Sequence, residues 1–189
     1  MLPPGETILL TLRLAGSIPA RAGRELHAQH VAAQQAATSP EAHRRAEKRF
    51  FVAFDELLDA RTVGPAYLEK EKLAELVAGE LLMLEEQGLR VPGFVLLPNH
   101  LHAVLHLPVS SGLSLYKTTE LLHQRTAAQA RRLLRGQLSP EADFWHPGSH
   151  ELPMLDATEL ARVQAYLLAH PQRLGLPERF RAWPYVYEG

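Results

Sequence analysis

The chain contains no cysteine, which removes disulfide frameworks, thiolate metal sites and cysteine nucleophiles in one step. It also lacks any apolar run of membrane-spanning length, and its amino terminus has no charged segment followed by a signal-type apolar stretch, so a cytoplasmic protein is expected. Charge is nearly balanced, with 20 Lys and Arg against 21 Asp and Glu and a formal net charge of -1. That balance neither supports nor excludes a nucleic-acid partner, because binding needs a local basic face and not a basic total. What remains is 189 residues with 46% hydrophobic content, enough for one domain, residues 1–189, with its own core.

Ten histidines are present, and their placement is uneven. In Phe94-Val95-Leu96-Leu97-Pro98-Asn99-His100-Leu101-His102-Ala103-Val104-Leu105-His106-Leu107, read as a β-strand, side chains alternate faces. His100, His102 and His106 then share one face, and Val95, Leu97, Leu101, Ala103, Leu105 and Leu107 take the other. Two imidazoles one residue apart lie side by side, within reach of a single cation. Pro98 has no N–H to give a ladder, so a bulge or edge is expected just ahead of the pair.

Along the chain, Thr7 to Leu14 alternates as a strand, with Ile8, Leu10, Leu12 and Leu14 on one side and Ala15-Gly16 closing it. Residues 20–38 carry no sustained apolar stripe and read as a loop or weakly held helix outside the core; residues 17–42 are expected to be a peripheral insertion. Ser39-Pro40-Glu41 has the form of a helix start. Phe50 to Phe54 fits either the continuation of that helix or a short strand. Leu73, Leu76, Val77, Leu81 and Leu84 predict a helix over 67–87 stopped at Gly88. A further helix is expected over about 113–135, with Lys117, Arg125, Arg132 and Arg135 near one stripe. That stripe is a candidate phosphate-facing surface, and equally an ordinary solvated face. The carboxy-terminal segment, residues 144–189, holds Phe144-Trp145 and a helix from about Thr158 to His170, stopped by Pro171 and Gly175. Leu160, Val163 and Leu167 form its buried stripe, and Tyr166 and His170 project from one side at i and i+4.

Leu97-Pro98-Asn99-His100-Leu101-His102 resembles the signature of the single-tyrosine HUH transposases. Phe144-Trp145, Leu160 to Tyr166, Pro171 through Leu176 and Ala182-Trp183-Pro184 then follow in the order and spacing of the REP-associated tyrosine transposases. The resemblance covers roughly residues 50 to 187 and leaves 17–42 outside. It implies an α+β, ferredoxin-like domain, an antiparallel sheet with helices packed on one face and the His pair on a central strand. It implies a divalent metal, Mg2+ or Mn2+, on His100, His102 and His170, and Tyr166 as the nucleophile. His170 stands where relatives commonly have Asn or Gln, a departure that imidazole can accommodate as a ligand. His150-Glu151 stands where relatives often carry an aromatic residue and an acid.

By this resemblance the expected partner is single-stranded or hairpin DNA, and the expected reaction is strand cleavage and transfer through a 5′-phosphotyrosine. Relatives include monomers and dimers, so a homodimer is open. Two other readings of the same residues stand beside it. One is a domesticated nucleic-acid hairpin binder that no longer cuts. The other is a metal hydrolase that uses its histidines to activate water.

Overall fold

The structure is a computed structural model and describes residues 5–111 and 114–189. Its centre is a five-stranded antiparallel sheet in the order β4-β1-β3-β2-β5. The strands are β1 (Gly5–Arg13), β2 (Arg90–Leu97), β3 (His100–Pro108), β4 (His150–Pro153) and β5 (Val186–Glu188). Five helices accompany them: α1 (Ala20–Ala36), α2 (Pro40–Asp59), α3 (Glu71–Glu86), α4 (Leu115–Leu133) and α5 (Ala157–Arg173). This is the antiparallel α+β class that the sequence implies. Consecutive residues of β1 and β3 are buried, so both faces of the central strands are covered. Helices α2 and α5 supply the side chains that meet the histidine face.

The histidine stretch is not one strand. Pro98 and Asn99 form a two-residue turn, and β2 and β3 are the arms of a hairpin in which Leu97 pairs with His100 and Val95 with His102. Residues opposed across an antiparallel pair lie on the same face. Val95 and Leu97 therefore share the histidine face, and the apolar face is made of Phe94, Leu96, Leu101, Ala103 and Leu105, with Ile8, Leu10 and Leu12 opposed from β1. Parity held within β3 and flipped across the turn. Pro98 thus marks a turn, while the register irregularity falls between Arg90 and Gly93, where Pro92 has no N–H to contribute. The turn is buried, and the carbonyls of Pro98 and Asn99 accept from Leu68 and Leu14 at 3.1 and 2.8 Å.

Ser39 caps α2 by accepting from the Ala42 N–H at 3.1 Å, and the helix runs through Phe50–Phe54 to Asp59. That resolves the open segment as helix. Helix α1 buries none of its residues; it is held to α2 by polar contacts, among them His30 with Glu47 at 3.2 Å. Helix α5 is capped by Asp156, which accepts from the Glu159 N–H at 2.8 Å. It does not stop at Pro171 but continues to Arg173, ending where Gly175 adopts φ +63. An interior proline costs about 3 kcal/mol; here Pro171 sits in the last turn, fully packed, and its carbonyl accepts from Leu176 at 3.0 Å. Helix α4 falls within the expected range, whose first residue, Leu113, lies outside the described residues. Among the described residues no helix is long and apolar enough to cross a membrane.

Candidate active site

Thr7 and Thr11 sit opposite His106 and His102 in the β1–β3 register. Each threonine hydroxyl meets the Nδ1 of its partner, at 2.9 Å for His106 and 2.8 Å for His102. His106 is thereby tied into the sheet, away from the helices that meet the other two. His102 is fully buried and its Nε2 lies 2.8 Å from Asp55 Oδ1. With Nε2–H donating to the carboxylate, Nδ1 accepts from Thr11. His100 is oriented differently: its Nδ1 lies 2.8 Å from Asn99 Oδ1, and the Asn99 amide is itself anchored on the Leu58 carbonyl at 3.0 Å. This leaves His100 Nε2 buried without a hydrogen-bond partner. Burial, then the neighbouring His102, holds the His100 imidazole well below its ordinary pKa, so it is neutral and its lone pair is available.

From α5, His170 places Nε2 at 2.9 and 3.1 Å from the two oxygens of Asp59. Tyr166, one turn earlier, donates its phenol hydrogen to Asp55 Oδ2. Its ring stands 6.2 Å from that of His102 and 4.7 Å from that of His170, and the Arg173 guanidinium lies 4.9 Å from its centroid. Burial, followed by the Asp55 carboxylate, raises the phenol pKa, and Arg173 only partly opposes this. Burial also works against the Asp55 charge, but hydrogen bonds from His102 and Tyr166 outweigh it and hold that carboxyl well below the usual range.

His100, His102, Tyr166 and His170 are therefore brought together within one chain. Two residues not anticipated from the sequence complete the set: Asp55 and Asp59, spaced i and i+4 on α2 and so on one face. One ligand atom each from Asp55, Asp59, His100 and His170 lies within 4.8 Å of the others. His102 stands beside this group, joined to it through Asp55. A neutral buried imidazole with an orphaned nitrogen, two carboxylates and a second imidazole fit a divalent cation, and the oxygens make the set harder than imidazoles alone. Lys117, Arg125, Arg132 and Arg135 are not part of this centre. They are exposed on α4 and just past its end, where Arg125 faces Glu80 at 3.8 Å.

No protein-family model matches the chain, and no curated protein matches it either. Among solved structures, the chain is similar to a REP-associated tyrosine transposase bound to a REP hairpin, with a TM-score of 0.56 and 12% identity, over 98% of this chain and 78% of that one. The chain shares the overall fold of that structure. At this identity the likeness concerns architecture, and it agrees with the resemblance carried by the HUH motif and the ordered carboxy-terminal segments. The histidine pair lies on β3, the middle strand of the sheet, and α5 sets the rings of Tyr166 and His170 beside it.

Proposed function

We propose that the protein is a metal-dependent endonuclease and strand transferase for single-stranded, hairpin-bearing DNA. The observation that carries this reading is Tyr166, hydrogen-bonded to a carboxylate that also holds His102, beside a His/Asp group suited to a cation. A divalent metal, Mg2+ or Mn2+, held by Asp55, Asp59, His100 and His170 with His102 alongside, would supply Lewis-acid charge for the non-bridging phosphate oxygens. Asp55 takes the phenol proton as Tyr166 Oη attacks phosphorus. The P–O3′ bond breaks, the 3′ oxygen leaves with the proton that Asp55 took from the phenol, and the 5′ phosphate stays on Tyr166. Attack by a 3′-hydroxyl of another strand reverses the step and restores the phenol, so the bond energy is conserved without ATP. Tyr166 acts in this reading with the histidines of its own chain. In this reading Lys117, Arg125, Arg132 and Arg135 lie along the hairpin stem, where α4 offers exposed cations for phosphates.

One observation favours the non-cutting hairpin binder: the phenol is half-buried and its pKa is raised, a poor state for a nucleophile at neutral pH. Intact-protein mass spectrometry decides between them. The native chain, incubated with a pool of hairpin-bearing single-stranded DNA and Mn2+, is expected to gain a covalent nucleotide mass that Tyr166→Phe lacks. Tight hairpin binding with no adduct, unaffected by chelator, would replace the transferase with the binder.

A further inference from the structure

Beside the histidine face a cavity of about 990 Å³ opens between α1, α2, the outer strand β4 and residues 146–149. Nothing in the transferase chemistry uses it. Its size lies at the upper end of small-molecule sites, which run about 300–1,000 Å³. Its floor is aromatic: Phe50 and Phe54 stack at 5.7 Å, and the His150 ring lies 5.1 Å from Phe50 and 5.7 Å from Phe54. Arg13, half-buried, lines the cavity, and among the described residues Ser17 at 3.5 Å is the side-chain partner of its guanidinium. Burial draws the Arg13 pKa down to about 10, which still leaves a full positive charge at neutral pH, with no carboxylate partner among the described residues. Arg24, exposed on α1, lines the opposite side. The two acids on the rim are already engaged, Glu47 with Gln34 and His30, and Glu151 with Ser149 at 3.0 Å.

Aromatic rings and two guanidiniums lining one cavity are the chemistry of an unpaired nucleotide: the base stacks and the phosphate takes the cations. The position fits the same ligand. Thr11 lines the cavity and its hydroxyl meets His102 at 2.8 Å, while Phe54 immediately precedes Asp55 on α2. A nucleotide here would lie next along the strand from a phosphate in front of Tyr166. Helix α1 buries no residue in the core, yet its residues line one side of this cavity.

We infer that the cavity under α1 seats one or two unpaired nucleotides of the DNA strand, with Phe50, Phe54 and His150 stacking on bases and Arg13 and Arg24 holding phosphates. This rests on the DNA-transferase reading. The test uses the full chain in chelator, so that nothing is cut, with a pool of synthetic DNA hairpins either blunt or carrying a short unpaired tail of random sequence containing 5-iodouracil. The tail is expected to tighten binding by about fivefold or more, and to photocross-link to Phe50, Phe54 or residues 146–150 in both the native chain and Tyr166→Phe. Arg13→Gln is expected to lose the tail's advantage while keeping affinity for the blunt hairpin. Arg24→Gln, at an exposed position that leaves folding untouched, should lose part of it. Cross-links elsewhere, or an undiminished tail advantage in both variants, would overturn the cavity's role; if the Tyr166 adduct still formed with Mn2+, the transferase reading would survive. Failure of the native chain to bind either hairpin would overturn both.

Discussion

Tyr166 and Asp55 share a hydrogen bond that joins the tyrosine helix to α2, and the other oxygen of Asp55 holds His102. The carboxylate has two opposed effects on the phenol. Its charge raises the energy of the phenolate, yet it is the one base in contact with the proton that must leave. Replacing Asp55 by Asn separates these effects. Without metal, the Tyr166 phenol in Asp55→Asn should ionise at lower pH than in the native chain, as read by its ultraviolet difference spectrum. Cleavage should nevertheless fall by at least about 10²–10⁴-fold, because the variant loses the general base together with an oxygen that would face the metal. A variant that cleaved as fast as the native chain would remove Asp55 from the chemistry.

The orphaned Nε2 of His100 leads to a test that needs no DNA. A ligand that binds only the folded state stabilises it by about 2.7 kcal/mol at a hundredfold excess over Kd. Mn2+ should raise the melting temperature of the native chain and of Tyr166→Phe. Asp59→Asn and His100→Ala should lose most of that rise, and chelator should abolish it. An equal rise in His100→Ala would place the ion elsewhere.

Among the described residues Thr11 is the partner of His102 Nδ1, and both are buried. Thr11→Val keeps the shape and removes the hydroxyl, leaving a buried ring nitrogen unsatisfied, at about 1–3 kcal/mol. Denaturant unfolding should show a lower midpoint with an unchanged slope. Asp55 still accepts from Nε2–H, so the tautomer should be kept while the Nδ1 chemical shift moves as its hydrogen bond is lost. No loss of stability would mean that another group fills the Nδ1 position.

How far the site could be read beforehand depended on which periodicity applied. Within β3 the two-residue period put His100, His102 and His106 together, and the structure agrees. The two-residue turn at Pro98-Asn99 reversed the parity of Val95 and Leu97, because a hairpin pairs residues whose numbers sum to a constant, Leu97 with His100 and Val95 with His102. The signal for this was present: a proline followed by Asn between apolar runs is turn chemistry. Asp55 and Asp59 stayed hidden for a different reason. Their i, i+4 spacing means something only on a helix, and Phe50-Phe51-Val52-Ala53-Phe54 fits a strand equally well. What decides for helix is tertiary: Phe51 packs on the core, with its ring edge-on to His102 and Tyr166, and the helix presents its acids to the imidazoles. The weak apolar pattern of residues 20–38 correctly indicated a segment outside the core, but no property of that segment alone could show that it roofs a cavity.

Helix α5 is tied to α2 at a third place, one whose strength depends on pH. Glu159 accepts from Arg44 and from Lys48, the latter at 2.7 Å, and from the Leu155 N–H at 2.9 Å. Burial opposes its charge, but the Arg44 and Lys48 hydrogen bonds prevail and hold its pKa down to about 2, against an ordinary 4.5. A carboxyl whose folded pKa is depressed binds fewer protons folded than unfolded, so stability rises with pH between the two values. The contribution is complete above about pH 4.5 and is lost as pH falls through about 2. Glu159→Gln should therefore lower stability at neutral pH by about 1 kcal/mol once solvent screening is allowed for. The two chains should converge as the pH approaches 2, and added salt should narrow the gap between them. Because the same helix carries Tyr166, the variant should also form less phosphotyrosine adduct at neutral pH with little change in hairpin affinity. A gap in melting temperature that persisted unchanged at pH 2 would show that Glu159 acts through packing and not through its charge.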